Sequence, residues 1–187
     1  DGFQDYKIKK NLNIVCFNQN QLIGNGFVLP SGPLRENLNA LNNASIILIN
    51  GSKNEEFEKT ILNVNKNLKI FYSHYNPINI NQFRNKKLLA IAGIGNPDNF
   101  FKLIECNGLN IKKKLIFPDH HEFTKPEIQN ILRDAELNDY HIITTEKDYF
   151  KIKDFDIKKI EYLKVLLEIN EKEKFIETIL ELYDKNN

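Results

Sequence analysis

Short runs of apolar residues recur along the chain and alternate with stretches whose apolar positions return at helical spacing. The runs at 12–17, 45–49, 67–72, 88–92, 111–117, 141–145 and 162–167 predict strands. Several are continuous rather than alternating, the pattern of parallel strands covered on both faces. Between them, Asn96 is placed to cap a helix with Pro97 at its first position. Phe100, Phe101 and Ile104 give that helix an apolar face, and Gly108 ends it. Thr124 and Glu127 form a capping box with Pro126 inside the first turn, and Ile128, Ile131, Leu132 and Ala135 make the buried stripe. Residues 171–184 form a closing helix with Phe175, Ile176, Ile179, Leu180 and Tyr183 on one side, and 54–62 a shorter helix. Strand–helix alternation of this kind predicts an α/β layered fold with a mostly parallel sheet. A polar, Asn-rich stretch at 73–86, with Pro77 inside it, is placed as a junction. The lobes are then 1–80 and 81–168, with 169–187 available to pack back on the first.

Composition changes this picture little. With 187 residues, 41% apolar and 27% charged, the chain has enough material for a core. A net charge of +1 argues against a nucleic-acid partner, which needs a strongly basic face. Lysines do cluster, at Lys7, Lys9 and Lys10, at Lys112 to Lys114, and at Lys151, Lys153, Lys158 and Lys159. Such runs are solvated faces or, more sharply read, contacts for anionic lipid head groups. Cys16 and Cys106 sit far apart in apolar stretches without metal spacing and are expected to be buried free thiols. No run approaches the roughly 18 apolar residues of a membrane span. The chain has no Met and opens on Asp1-Gly2-Phe3-Gln4, so it is expected to be a segment of a longer protein.

Sites in open α/β sheets collect beyond the carboxyl ends of strands. Loops at such positions carry the candidate chemistry. Gly93-Ile94-Gly95-Asn96-Pro97 lies between a strand and a capped helix; its glycines let backbone approach a ligand, and the helix start favours an anion. Pro118-Asp119-His120-His121 offers a carboxylate to orient and charge an imidazole, or else a histidine that merely caps or packs. Thr145-Glu146-Lys147-Asp148 reads first as a solvated turn, and second as an ion-paired support under a neighbouring loop. Near the start, Asp1 to Gln4 could hold Mg²⁺ through oxygens. Gly24-Asn25-Gly26, followed by Leu29-Pro30-Ser31-Gly32-Pro33-Leu34-Arg35-Glu36, is a long stiffened loop. It is either a connector or the bearer of a phosphate-pairing Arg35 and a metal-reaching Glu36.

In that order, these motifs together resemble the tetraacyldisaccharide 4'-kinase family, from Asp1 to about Lys151. The resemblance implies an ATP- and Mg²⁺-dependent enzyme of lipid A synthesis. It would phosphorylate the 4'-hydroxyl of a tetraacyl glucosamine disaccharide 1-phosphate at the cytoplasmic face of a Gram-negative inner membrane. It also implies a P-loop-type α/β/α lobe, incomplete here, and a smaller α/β/α second lobe, with the site between them. Residue by residue, Asp1 matches the second acid of a Walker-B-like element, and Gln4 belongs to the same element. Arg35 is implied as a nucleotide contact and Glu36 as a metal ligand. His120, with Asp119 beside it, matches the second-lobe histidine that works with an acidic base. Glu146, Lys147 and Asp148 match a signature that supports that site. Asp5 stands where the family usually has His, and no Gly-x-x-x-x-Gly-Lys-Ser/Thr occurs in the chain. The phosphate loop and the membrane-binding helix are therefore expected upstream, and this segment alone is expected not to turn over. The alternatives are a non-catalytic acyl-sugar or nucleotide binding module and, last, a dinucleotide-binding protein. Asp98 counts against that last reading, because an acid there would repel a pyrophosphate.

Overall fold

A computed structural model describes residues 2–5, 7–155 and 159–185. In chain order the elements are β1 (Ile14–Asn18), β2 (Ile46–Asn50), α1 (Glu55–Val64), β3 (Lys69–Pro77), β4 (Lys87–Ala92), α2 (Pro97–Cys106) and β5 (Asn110–Ile116). Then follow α3 (Lys125–Asn138), β6 (His141–Thr145), α4 (Glu146–Ile152), β7 (Ile160–Leu163), β8 (Val165–Ile169) and α5 (Lys172–Lys185). They fall into two compact units, Asp1–Tyr75 with Leu167–Asn187, and Asn76–Leu166.

The first unit is built on a sheet of order β1-β2-β3-β8, in which β1, β2 and β3 run parallel, with Ile47 opposite Val15 and Ile70. The continuous run Ile46 to Ile49 is buried along its whole length because both faces of β2 are covered. Ile47 and Ile49 pack against Leu41 and against Phe57 and Ile61 of α1. Ile46 and Leu48 turn the other way, onto Phe71 and onto Phe175, Ile179 and Leu182 of α5. The inward line of α5 is therefore Phe175, Ile179 and Leu182. Ile176, Leu180 and Tyr183, expected on the packed side, are exposed.

Tyr72 of β3 fastens α1 to the sheet. Its hydroxyl donates to Glu58 Oε1 at 2.6 Å and accepts the N–H of Asn54 at 3.1 Å, while Asn54 Oδ1 caps the helix at Phe57 N. Burial, and secondarily the hydrogen bond to Glu58, push the phenol up to about 12. Folding thus favours the neutral phenol. Its stabilisation is complete below the ordinary tyrosine value of about 10 and is lost as pH rises from there through the folded value of about 12. Tyr72→Phe should weaken the fold at neutral pH and flatten its alkaline decline, as followed by denaturant melts at stepped pH. Parallel declines in both proteins would refute this.

The second unit has an all-parallel sheet of order β5-β4-β6-β7. Strand β4 sits inside it and divides its side chains between two helical layers. Leu88, Ala90 and Ala92 meet Phe100, Phe101 and Ile104 of α2. Leu89 and Ile91 meet Ile128, Ile131 and Ala135 of α3 and Ile152 of α4. This is a three-layer α/β/α arrangement. The caps read from the sequence are in place. Asn96 Oδ1 accepts from Asn99 N, and Thr124 and Glu127 exchange their capping-box bonds. Gly108 follows α2 at φ +75, a conformation that glycine adopts without penalty.

Three further expectations are corrected. The apolar run at 162–167 is two strands in different sheets, β7 and β8, broken at Lys164. The break is held by Asn79 Oδ1, which accepts the Lys164 N–H at 2.8 Å, and by the Lys164 carbonyl, which accepts from Ile78 N at 2.9 Å. Residues 146–152 form a helix where a solvated turn was the first reading, because Thr145 caps it. Both cysteines are exposed rather than buried. Cys106 ends α2 on its outer side, and Cys16 lies on β1, outermost of its sheet among the described residues.

Candidate active site

In the first unit, Gln4 and Glu36 meet across 32 positions of sequence, Gln4 Nε2 donating to Glu36 Oε2 at 3.2 Å. A cleft of about 870 Å³ opens beside them, with Val15, Phe17, Leu34 and Arg35 among its walls. Asp1, also expected here, lies outside the described residues. The loop that delivers Arg35 and Glu36 is closed by its own hydrogen bonds. Asn25 Nδ2 donates to Ser31 O at 2.9 Å, Leu29 N to Leu34 O at 2.8 Å, and Leu34 N to Phe27 O at 3.2 Å. Gly32 is required by this closure, because an added methyl would collide with Asn25 Oδ1 and with the backbone of Phe27. Gly32→Ala should cost about 1–3 kcal/mol as an overpacking change. A thermal melt checks this, and an unshifted midpoint would mean the loop relaxes freely.

In the second unit, three loops converge beyond the carboxyl ends of β4, β5 and β6. The centre of the support is Asp148, fully buried. Its Oδ2 accepts the Gly93 N–H at 2.8 Å and the Thr145 hydroxyl at 2.8 Å, and its Oδ1 accepts from Lys151 Nζ at 3.0 Å. The first turn of α4 is thereby bolted to the end of β4. This is the ion-paired support, not the solvated turn. The sequence signal for it was Thr145-x-x-Asp148, a cap pattern.

On that base stand Asp119 and His120. Asp119 Oδ1 accepts from Lys147 Nζ and from the His120 backbone N–H, each at 3.0 Å. The Lys147 hydrogen bond is the main cause that holds the Asp119 carboxyl below the usual carboxylate range. His120 sits at φ +62 with its side chain 80% exposed, and its Nε2 is 3.7 Å from Asp119 Oδ2. His121 has the opposite character. It stacks on Phe117 at 4.8 Å, meets Phe123 edge-on, and bonds Glu127 at 3.2 Å. The two adjacent histidines thus separate into a presented ring and a packed one. Gly93 and Gly95 do provide close approach, but to the protein's own carboxylates. A Cβ at either would stand 3.2 Å from Asp148 Oδ1 or Asp119 Oδ2 respectively.

A parallel three-layer unit with charged and imidazole groups gathered on strand-end loops defines an α/β protein of the kind that carries its chemistry on loops above a rigid sheet. The profile of the tetraacyldisaccharide-1-P 4'-kinase family (LpxK) matches residues 1–184, and the chain belongs to that family. It is 39% identical over 191 aligned residues to a tetraacyldisaccharide 4'-kinase of Pelagibacter ubique, covering 100% of this chain and 60% of the relative. It is 32% identical over 185 residues to the Haemophilus influenzae protein of the same name, covering 99% of this chain and 53% of the relative. The chain therefore spans between about half and three-fifths of the length of these curated relatives. A crystal structure of LpxK from Aquifex aeolicus, described as an "apo" form in complex with ATP, shares the fold. Its TM-score is 0.65 at 20% identity, over 98% of this chain and 56% of that one.

Proposed function

We propose that this chain is part of an enzyme that transfers the γ-phosphate of ATP to the 4'-hydroxyl of a tetraacyl glucosamine disaccharide 1-phosphate. The observation that carries the reading is the family match over residues 1–184 to relatives named for that reaction. Phosphoryl transfer asks the protein mainly for positioning and charge neutralisation. His120, exposed on a turn above the sheet, is assigned to the accepting sugar hydroxyl, whose proton must leave as the phosphate bond forms. Asp119 keeps that turn in shape through the His120 N–H. Gln4 and Arg35 are assigned to the nucleotide.

Asp1 and Glu36 are assigned to Mg²⁺. The residues described fit such an ion in donor type. Gln4 Nε2 donates to Glu36 Oε2, so a carboxylate and a side-chain amide stand together on the cleft wall, and both carry the hard oxygen atoms that Mg²⁺ prefers. Mg²⁺ is commonly held by one or two carboxylates plus substrate phosphates and water. Bound there, it would neutralise charge on the transferring phosphate. Placement at the cytoplasmic side of a bacterial inner membrane, next to a lipid substrate, belongs to the same proposal. Among the described residues no helix is long and apolar enough to cross a membrane.

The test is a 4'-kinase assay with ATP, Mg²⁺ and the disaccharide monophosphate lipid. It compares the 187-residue chain with a protein extended at its amino end to the relatives' length. Turnover is expected only in the extended protein, since this chain carries no Gly-x-x-x-x-Gly-Lys-Ser/Thr. An inactive extended protein that still binds the lipid or the nucleotide would put a non-catalytic binding role ahead.

A further inference from the structure

The geometry points to Lys147 as the residue that positions Asp119 and, through it, His120. This rests on the kinase reading of the loop cluster and adds to it a residue that acts through another. The Asp119 carboxylate is divided between two tasks. Its Oδ1 takes the Lys147 ammonium and the His120 N–H, each at 3.0 Å. Its Oδ2 faces the His120 ring at 3.7 Å, beyond hydrogen-bond length, and lies close against Gly95. An unrestrained carboxylate beside an imidazole is free to rotate onto the ring, because the terminal torsion of Asp is broad. The lysine holds it in the orientation that bonds the turn instead.

The turn needs that hold. His120 sits at φ +62, where side chains with a Cβ are disfavoured; the Pro118 carbonyl closes the turn by accepting from His121 N at 3.1 Å, and the Asp119 bond to the His120 N–H restrains it from the side-chain side. Lys147 in turn stands on a fixed base. It lies in the first turn of α4, which Asp148 ties to Gly93 and Thr145. The restraint runs from β4 through Asp148 to α4, and from Lys147 through Asp119 to His120. Lys147 and Asp119 are 47% and 42% exposed, and exposed pairs add little to stability. What the pair contributes is orientation. It also holds the Asp119 carboxyl below the ordinary carboxylate range, so the ionised form bonded to the turn persists to lower pH.

The experiment compares wild type, Lys147→Met and Lys147→Arg by NMR in the 187-residue chain, following the Asp119 carboxyl and the His120 amide proton across acid pH. In Lys147→Met the carboxyl should titrate closer to the ordinary aspartate range and the His120 amide resonance should move. Lys147→Arg should keep both near wild type, and all three thermal midpoints should agree closely. In the extended protein, Lys147→Met should lower kcat roughly ten- to a hundredfold with the KM for ATP little changed, as for a misplaced group. Lys147→Arg should recover most of that rate. An unchanged Asp119 titration and His120 amide in Lys147→Met overturn the positioning role, whatever the assay gives. A shifted NMR signature with wild-type kcat overturns its bearing on the reaction. If the extended wild type shows no kinase activity, the kinase reading fails, while the NMR result still decides the positioning.

Discussion

Asp148→Ala is expected to be the most destabilising single substitution at the strand-end loops. The carboxylate is fully buried and receives the Gly93 N–H, the Thr145 hydroxyl and the Lys151 ammonium. Removing it orphans a buried backbone donor and a buried hydroxyl at about 1–3 kcal/mol each, and it leaves Lys151 without its carboxylate. A loss of about 3–5 kcal/mol follows, the range for breaking a buried pair by deleting one partner. For a chain of this size that lowers Tm by roughly 10 °C. Asp148→Asn retains one acceptor oxygen and should lose distinctly less. Urea or thermal unfolding of the two variants checks the order. A loss below about 1 kcal/mol for the alanine variant would mean that water replaces the carboxylate and that the strand-end bolt is unimportant.

His120→Ala is expected to have the largest effect on activity with almost none on stability. The ring is 80% exposed and its removal leaves no cavity. Groups that handle a proton in a transition state contribute about 10²–10⁴-fold, so the extended protein should lose at least roughly a hundredfold in kcat. His121→Phe is the matched control. His121 lies in an aromatic stack with Phe117 and Phe123, which a phenyl ring can continue, so kcat should stay near wild type. If the two substitutions cost the same, the division of the histidines into a presented and a packed ring is wrong.

Much of the scaffold is legible in the residues. The unbroken apolar run Ile46 to Ile49 announces a strand covered on both faces, and Thr124 with Glu127 announces a helix start. Both signals are local. What was hidden depends on distant partners. The break at Lys164 is made by Asn79, 85 positions away, so the apolar run 162–167 carries no trace of it. Asp148 reads as one charge among three in Thr-Glu-Lys-Asp, and only the Gly93 backbone, 55 positions away, makes it a buried one. His120 and His121 are indistinguishable in sequence. They separate because Phe117 and Phe123 flank one ring, while the other is turned out at positive φ. The pairing of Gln4 with Glu36 joins two motifs that the sequence shows only as separate candidates.

The chain has two cysteines, both at the surface: Cys16 in the first unit and Cys106 in the second. The 187-residue chain thus already offers a pair of label sites, one on each body, with no engineered residue. A dye or spin pair on these thiols would report the distance between the two bodies in solution, and nucleotide or lipid added to the labelled protein would show whether that distance depends on what is bound.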